Sequence, residues 1–171
     1  MPVYREEFEP IALPGEYIKV IGAGGKNNVK YFRVIAIEPL PIYEHDFGSI
    51  NAGETKEKQE VQALYVPRGQ LAQYRVRVID NIRLYMYQPR SDSKFTTKKA
   101  KFYISPEIAG TDFVNLTEFY VFEDQSVYFD VENPGTSNLS NARVQFAGFK
   151  YVLEEVKEEP ERYTTVAVQA L

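Results

Sequence analysis

The stretch from Leu116 to Leu153 constrains the fold most, because its side chains alternate with the two-residue period of a β-strand. Val127, Phe129 and Val131 fall on one face, and the residues between them are polar or amphipathic. Pro134 and the glycine after it break this run, since proline cannot donate to a strand ladder and glycine tolerates positive φ. The stretch therefore predicts an antiparallel sheet.

Two neighbouring features extend this sheet. The aromatic run from Phe119 to Phe122 ends at the turn-forming residues 123–126, which predicts a hairpin with the strand that follows. Alternation resumes from Ala142 to Phe146 and is interrupted at Gly148. A glycine inside a strand indicates a bulge or the close approach of another backbone.

The remaining strands follow from shorter patterns of the same kind. They are predicted at Tyr17 to Ile21, Val29 to Ile37, Gln59 to Val66, Tyr74 to Gln88 and Phe102 to Ile104. Pro39 and Pro41 are expected to end the second of them. A turn or two of helix is predicted within 153–162. The predicted fold class is all-β, an antiparallel, jelly-roll-like β-sandwich with extended terminal arms.

Chain length and local composition set the domain organisation. With 171 residues, a single domain is expected. We assign 17–153 to the sandwich, 1–16 to a proline-punctuated N-terminal arm, and 154–171 to an acidic linker with a β-prone C-terminal arm. Two segments of the sandwich are predicted as loops, a mobile insertion at 43–60 and a basic loop at 89–101.

Charge and cysteine content exclude several classes of protein. The formal charge is −4 and the isoelectric point about 5.2, which argues against coating nucleic acid as the main function. Without cysteine there is no disulfide, thiol nucleophile or thiolate metal site. No secretory signal or apolar run of about 20 residues is present, so the expected setting is the cytoplasm or a particle assembled there.

Two motifs were tested for chemistry. Gly22 to Gly25 follow a predicted strand, but the third glycine of a dinucleotide-binding loop would fall at Asn27, so a hairpin turn is favoured. His45 is the one histidine and lacks further ligands at metal-site spacing, so we interpret it as a solvated loop residue. No catalytic, cofactor or metal site is predicted.

Two segments are candidates for partner binding. The basic loop suits an acidic partner. The tail beyond the acidic linker leaves two outcomes open, since it can fold back onto its own sheet or add to the edge of a neighbour's sheet. The candidate partner-binding residues are Tyr163, Val166, Val168, Leu171, Lys98, Lys99 and Lys101.

The predicted strand from Tyr74 to Gln88 is rich in arginine and tyrosine, and it suggests an alternative function. Its preferred interpretation is an exposed sheet face on which arginine stems cover tyrosines. The alternative is a carbohydrate-binding β-sandwich in which exposed Tyr85 and Tyr87 stack on sugar rings. A third possibility is an enzyme, for which a buried pair of converging acids would be the first sign.

The segment from Glu118 to Leu153 combines the turn Phe-Glu-Asp-Gln-Ser, the strand end Val-Glu-Asn-Pro and the closing strand Asn-Ala-Arg-Val-Gln-Phe-Ala-Gly-Phe-Lys-Tyr. It resembles the β-sandwich head proteins of tailed bacteriophages over about a fifth of the chain. The resemblance implies a capsid-associated protein without catalysis, such as a decoration, cement or minor capsid component. Its expected partners are copies of itself and a major capsid or other virion protein.

Overall fold

The computed structural model describes residues 8–22, 29–87, 102–104, 113 and 117–168. These residues form ten strands and one 3-10 turn, Gln62–Leu64. The strands, numbered in chain order, are β1 (Tyr17–Ile21), β2 (Val29–Asp46), β3 (Thr55–Glu60), β4 (Gln70–Val78), β5 (Arg83–Met86), β6 (Phe102–Ile104), β7 (Phe119–Phe122), β8 (Tyr128–Glu132), β9 (Arg143–Val156) and β10 (Thr164–Ala167). None of the described residues belongs to a helix with the length and apolar character that a membrane crossing requires.

Two sheets pack against each other. The larger has the strand order β10-β1-β2-β9-β4-β7 and the smaller the order β3-β8-β5-β6. The named pairs are antiparallel apart from β1 and β10, which run parallel and make the larger sheet mixed. The predicted all-β sandwich is confirmed.

The first hydrophobic core lies between the two sheets. Tyr74 and Val76 on β4 point into it from the larger sheet, and Phe129 and Val131 on β8 from the smaller one. Their neighbours along β4 are half-buried or polar, which is the two-residue alternation of a strand with one face on the core. Burial of these apolar side chains is the main force that holds the sheets together.

A second core lies on the opposite face of the larger sheet. In a flat sheet β2 and β7 would be about 14 Å apart, three strand spacings. Yet the rings of Phe32 and Phe122, on these two strands, have centroids 5.5 Å apart. Gln125 Nε2, just past β7, also donates to Val168 O at 3.0 Å, just past β10. The larger sheet therefore curls until its ends meet around this core.

The described part of the predicted N-terminal arm closes the second core. Ala12 is buried in the second core, and Phe8 is buried in a smaller cluster with Phe113 and Ala147. The backbone N–H of Ile11 donates to Tyr151 Oη at 2.8 Å, and this hydroxyl donates in turn to Gln73 Oε1. Because two buried side chains depend on this segment for their hydrogen bonds, residues 8–12 are part of the packed domain.

The predicted hairpin between β7 and β8 is not formed, because the two strands belong to different sheets. The turn between them contains Asp124 with φ 60°, a conformation that redirects the chain. Buried Gln125 fixes this turn, since its Oε1 accepts from the N–H of Phe122 at 2.8 Å. The turn carries the chain from the larger sheet to the smaller.

The predicted strand from Tyr74 to Gln88 is divided in the same way. Its first part belongs to β4 and its second to β5, and these lie in different sheets. At the corner between them Asp80 Oδ2 accepts from Arg143 Nε at 3.0 Å and from the Arg143 backbone N–H at 2.9 Å. The residues around Asp80 therefore form a corner at which the chain passes from the larger sheet to the smaller.

This corner predicts a pH dependence. The hydrogen bond from Arg143 lowers the pKa of Asp80 below its ordinary value of 3.8. A carboxyl whose pKa is depressed by folding contributes stability at neutral pH and loses it as the pH falls through the folded-state pKa. We expect Asp80→Asn to destabilise the protein by about 1 kcal/mol at pH 7 after solvent screening, and by less below pH ~3. Urea unfolding at the two pH values measures this difference, and an equal loss at both would contradict it.

The prediction of a loop at 43–60 is wrong at both ends of that range. β2 continues to Asp46 despite its two prolines, and residues 55–60 form β3. β3 is polar throughout because it is an edge strand, so it lacks the alternation that marks strands with a buried face. The strand predicted from Gln59 correspondingly ends at Glu60, and the 3-10 turn follows.

The helical turn predicted within 153–162 is also wrong. β9 extends to Val156, which pairs with Tyr31 on β2. The charged residues of 153–162 lie at the end of this strand and in the loop beyond it.

Candidate functional site

The C-terminal strand is the predicted interaction element that the structure describes best. β10 folds back and pairs in parallel with β1, with Ile18 opposite Thr164 and Val20 opposite Val166. Beyond the strand, the N–H of Val168 donates to Ile21 O at 3.1 Å. Of the two outcomes left open for the tail, the single chain adopts the fold-back.

Three of the predicted partner-binding residues of the tail are described, Tyr163, Val166 and Val168. Val166 is 2% exposed and Val168 1% exposed, and both belong to the second core. Tyr163 lies outside it, with its ring 5.6 Å from that of Tyr31 and 5.5 Å from Lys19 Nζ. The two valines therefore contact another copy only when β10 leaves its own β1.

An acidic loop, residues 157–163, connects β9 to β10. Since β10 lies beyond β1 and β2 from β9, the loop crosses both strands. Glu159 Oε2 accepts from Tyr163 Oη at 2.9 Å, and this hydrogen bond raises the pKa of Tyr163. With Tyr17 the loop lines an open groove of about 700 Å³. This groove is bordered by three glutamates and is open to solvent.

The other predicted partner residues, Leu171, Lys98, Lys99 and Lys101, lie outside the described residues. So do the basic loop at 89–101 and most of the glycine-rich turn, which is described only at Gly22.

His45 is on β2 and half-buried, so its interpretation as a solvated loop residue is wrong. Its Nδ1 is 3.0 Å from Tyr43 Oη, and its ring packs edge-on against Phe47 with centroids 4.6 Å apart. Burial lowers the pKa of His45, although Asp46 opposes this shift. Within the described ranges no three potential ligands converge on a metal site.

Among the described residues, the buried acid is Asp130. Its Oδ1 accepts from the Lys58 N–H at 3.0 Å and from Tyr87 Oη at 2.8 Å. Lys58 has φ 55°, so the carboxylate holds the bulge of β3 in an uncommon backbone conformation. We therefore interpret the buried carboxylate of Asp130 as a structural group that stabilises the β3 bulge.

The tyrosines proposed to stack on sugars are not exposed platforms. Tyr87 is buried, and half-buried Tyr85 donates to Glu132 Oε1 at 3.2 Å. Arg75 and Arg77, from the same predicted strand, cover phenylalanine rings, with their guanidinium groups 4.3 and 4.6 Å from the ring centroids of Phe8 and Phe113.

The outer edge of β2 is a candidate contact surface that the sequence pattern did not predict. Residues 35–46 pair with β9 on one side, and none of the described strands pairs with them on the other. Ile35, Ile42 and Tyr43 are exposed here. The signal was present in Pro39 and Pro41, because prolines two residues apart point their missing donors to the same side, as is typical of an edge strand.

No family model matches this chain, and no curated protein matches it. Among solved structures, it is similar to PliG of Aeromonas hydrophila, a periplasmic inhibitor of g-type lysozyme, with 8% sequence identity and a TM-score of 0.31. The match covers 80% of this chain and 97% of that protein.

Proposed function

We propose that this chain is a non-enzymatic structural protein of a virion, a capsid-associated decoration, cement or minor capsid component. It acts by assembly with copies of itself and with a major capsid or other virion protein. One observation supports the proposal most directly. β10 is the edge strand of the larger sheet, and an exposed loop connects it to the rest of the chain.

The contacts of β10 suit exchange between copies. β10 pairs with β1 over four residues, and Val166 and Val168 fill one side of the second core. The same contacts form when β10 of one copy pairs with β1 of another, so exchange keeps their free energy and adds an intermolecular link. Exchange of a terminal strand in this way joins β-sandwich subunits without a new interface.

The length of the acidic loop determines when exchange occurs. Its seven residues span at most about 23 Å when extended, whereas crossing to β10 needs about 14 Å. The closed chain is therefore unstrained and is favoured in dilute solution. Exchange is favoured where copies are concentrated and held side by side, as on an assembling shell.

The outer edge of β2 supplies a second contact region. Ile35 and Ile42 place exposed apolar surface along this edge. Pro39 and Pro41 lack the N–H groups that continuous pairing with another strand would use. The edge therefore suits side-chain contacts with a partner, and it is protected against open-ended sheet growth.

Strand exchange can be tested with engineered disulfides, because the chain has no cysteine. Lys19 and Thr165 face each other across β1 and β10, at a spacing that a disulfide can bridge. We mix Lys19→Cys and Thr165→Cys chains at high concentration, oxidise them, and analyse the products by mass spectrometry and light scattering. The expected product is a heterodimer linked between the two cysteines, in excess over either homodimer.

The double variant Lys19→Cys/Thr165→Cys is the matched control, because its internal disulfide locks β10 onto its own β1. It should stay monomeric at concentrations where the unmodified chain forms a defined oligomer. An unmodified chain that is monomeric throughout, or an oligomer that the locked variant also forms, would contradict assembly by exchange. Absence of the chain from purified particles of the source virus would contradict the virion role.

A further inference from the structure

A cleft of about 320 Å³ opens between the second half of β2 and the segment that follows the 3-10 turn. Pro41 and Tyr43 form one wall and Tyr65 the other. Gln70, Tyr74 and Phe146 contribute further surface from β4 and β9. The volume is at the lower end of the range for small-molecule sites, enough for one or two rings.

Gln70 gives the cleft a polar group that lacks a partner. Its Oε1 is buried and accepts no hydrogen bond from the part of the chain that the structure describes. A buried acceptor without a donor is unfavourable, so this position is expected to receive an O–H or N–H from water or from a ligand. A ligand in the cleft with a hydrogen-bond donor satisfies this oxygen when the Gln70 side chain turns toward it.

The two tyrosine walls are exposed and held in place. Tyr65 is 48% exposed, and its hydroxyl donates to Asp124 Oδ1 at 2.6 Å. Tyr43 is 38% exposed, and its ring stacks on Phe146 with an interplanar angle of 23°. Aromatic faces that are fixed before binding lose little conformational freedom when a flat apolar surface stacks on them.

The charge at the rim is balanced. Lys150 Nζ lies 3.4 Å from Glu38 Oε1, so the ammonium beside the cleft has a carboxylate partner. A charged ligand would have to compete with this pair, whereas a neutral ligand with several hydroxyl groups can hydrogen-bond to both members. The rim therefore favours a neutral polar ligand.

A peptide that adds as a strand is disfavoured at this position. The part of β2 that borders the cleft contains Pro39 and Pro41, which provide no N–H for a peptide carbonyl. Main-chain pairing is the interaction that holds an extended peptide at a sheet edge. A ligand that binds through ring faces and hydroxyl groups does not need it.

We propose that this cleft is a binding site for a neutral saccharide, independent of the assembly role. A pyranose ring stacks its C–H face on Tyr65 or Tyr43 and, when the Gln70 side chain turns toward the cleft, donates a hydroxyl hydrogen to Gln70 Oε1. The site differs from the one expected at Tyr85 and Tyr87, and it uses the exposed rings that the fold provides.

The test is saturation-transfer NMR with methyl glycosides of glucose, galactose, mannose and N-acetylglucosamine, and with the corresponding trisaccharides, up to about 10 mM. We expect at least one saccharide to bind through its ring protons. Tyr65→Ala should weaken its binding by roughly tenfold, whereas Tyr65→Phe, which keeps the ring, should weaken it by less than about threefold. Gln70→Leu, which removes the acceptor, should also weaken it.

Leu13→Ala is the control, because Leu13 is exposed and does not line the cleft. It should leave saccharide binding unchanged, and the near-ultraviolet circular dichroism spectra of all variants should match. Absence of binding across the panel, or binding that survives both Tyr65→Ala and Gln70→Leu, would overturn the proposal. Binding of a decaproline peptide in preference to every saccharide would overturn it in favour of peptide recognition.

Discussion

Replacing Gly148 by alanine should cost at least about 3 kcal/mol of the free energy of unfolding, or prevent folding. A Cβ atom added at Gly148 would lie 2.2 Å from the carbonyl oxygen of Gln73 and 2.9 Å from Cδ1 of Tyr74. The first of these atoms is backbone of β4, the strand paired with β9 at this point. Neither strand can move away without breaking its ladder on the other side, so a side-chain rotation cannot relieve the clash.

The measurement is equilibrium unfolding in urea, followed by circular dichroism. Gly135→Ala is the matched control, because Gly135, like Gly148, has no positive φ, and an added Cβ there would meet side-chain atoms only, at 3.3 and 3.6 Å. It should change the free energy of unfolding by less than about 1 kcal/mol. Equal changes for the two variants would mean that the approach of Gln73 does not explain the requirement for glycine at position 148.

Gly148 shows which part of the fold could be predicted from the sequence alone and which part could not. The interruption of an alternating strand by glycine predicted either a bulge or a close backbone approach, and the structure has the close approach. The pattern could not identify the other backbone, since Gln73 is far away along the chain. Local periodicity defines which face a residue takes, but strand order is set by contacts between distant segments.

The sheet-to-sheet turns show the same limit. The residues from Glu123 to Ser126 have the composition of a hairpin turn, and nothing local distinguishes a turn within one sheet from one that changes sheets. In the structure, buried Gln125 stabilises the turn that changes sheets, because its amide hydrogen-bonds both to β7 and to the segment after β10. A glutamine in a polar turn gives no sign of such burial.

The candidate sites were predictable only in part. The tail was identified from its β-forming residues after an acidic run, and its docking on β1 depends on the curl of the larger sheet. The cleft could not be anticipated, since Tyr43 and Tyr65 come from segments predicted as loop and strand and meet only after β2 extends past its prolines. Whether an aromatic side chain is exposed depends on tertiary packing, which the sequence pattern does not show. Exposed rings were therefore expected at Tyr85 and Tyr87, whereas the structure exposes Tyr43 and Tyr65.

The last prediction concerns the aromatic contact that joins the two sheets. Phe146 on β9 is 1% exposed, and its ring centroid lies 6.4 Å from that of Tyr74, 6.3 Å from that of Phe119 and 5.9 Å from that of Phe129. Phe129 belongs to the smaller sheet and the other two to the larger one. Phe146→Ala should therefore remove contacts on both sides of the first core.

We expect Phe146→Ala to lower the free energy of unfolding by about 4 kcal/mol, because it leaves a cavity among rings held by two sheets. Phe146→Leu should cost about 1 to 2 kcal/mol, since it keeps most of the volume and loses the ring-edge contacts. Ile35→Ala, at an exposed position on β2, should stay within about 0.5 kcal/mol of the unmodified protein. A loss below about 2 kcal/mol for Phe146→Ala would mean that the sheets close over the cavity, and that their spacing is set by the chain connections rather than by this ring.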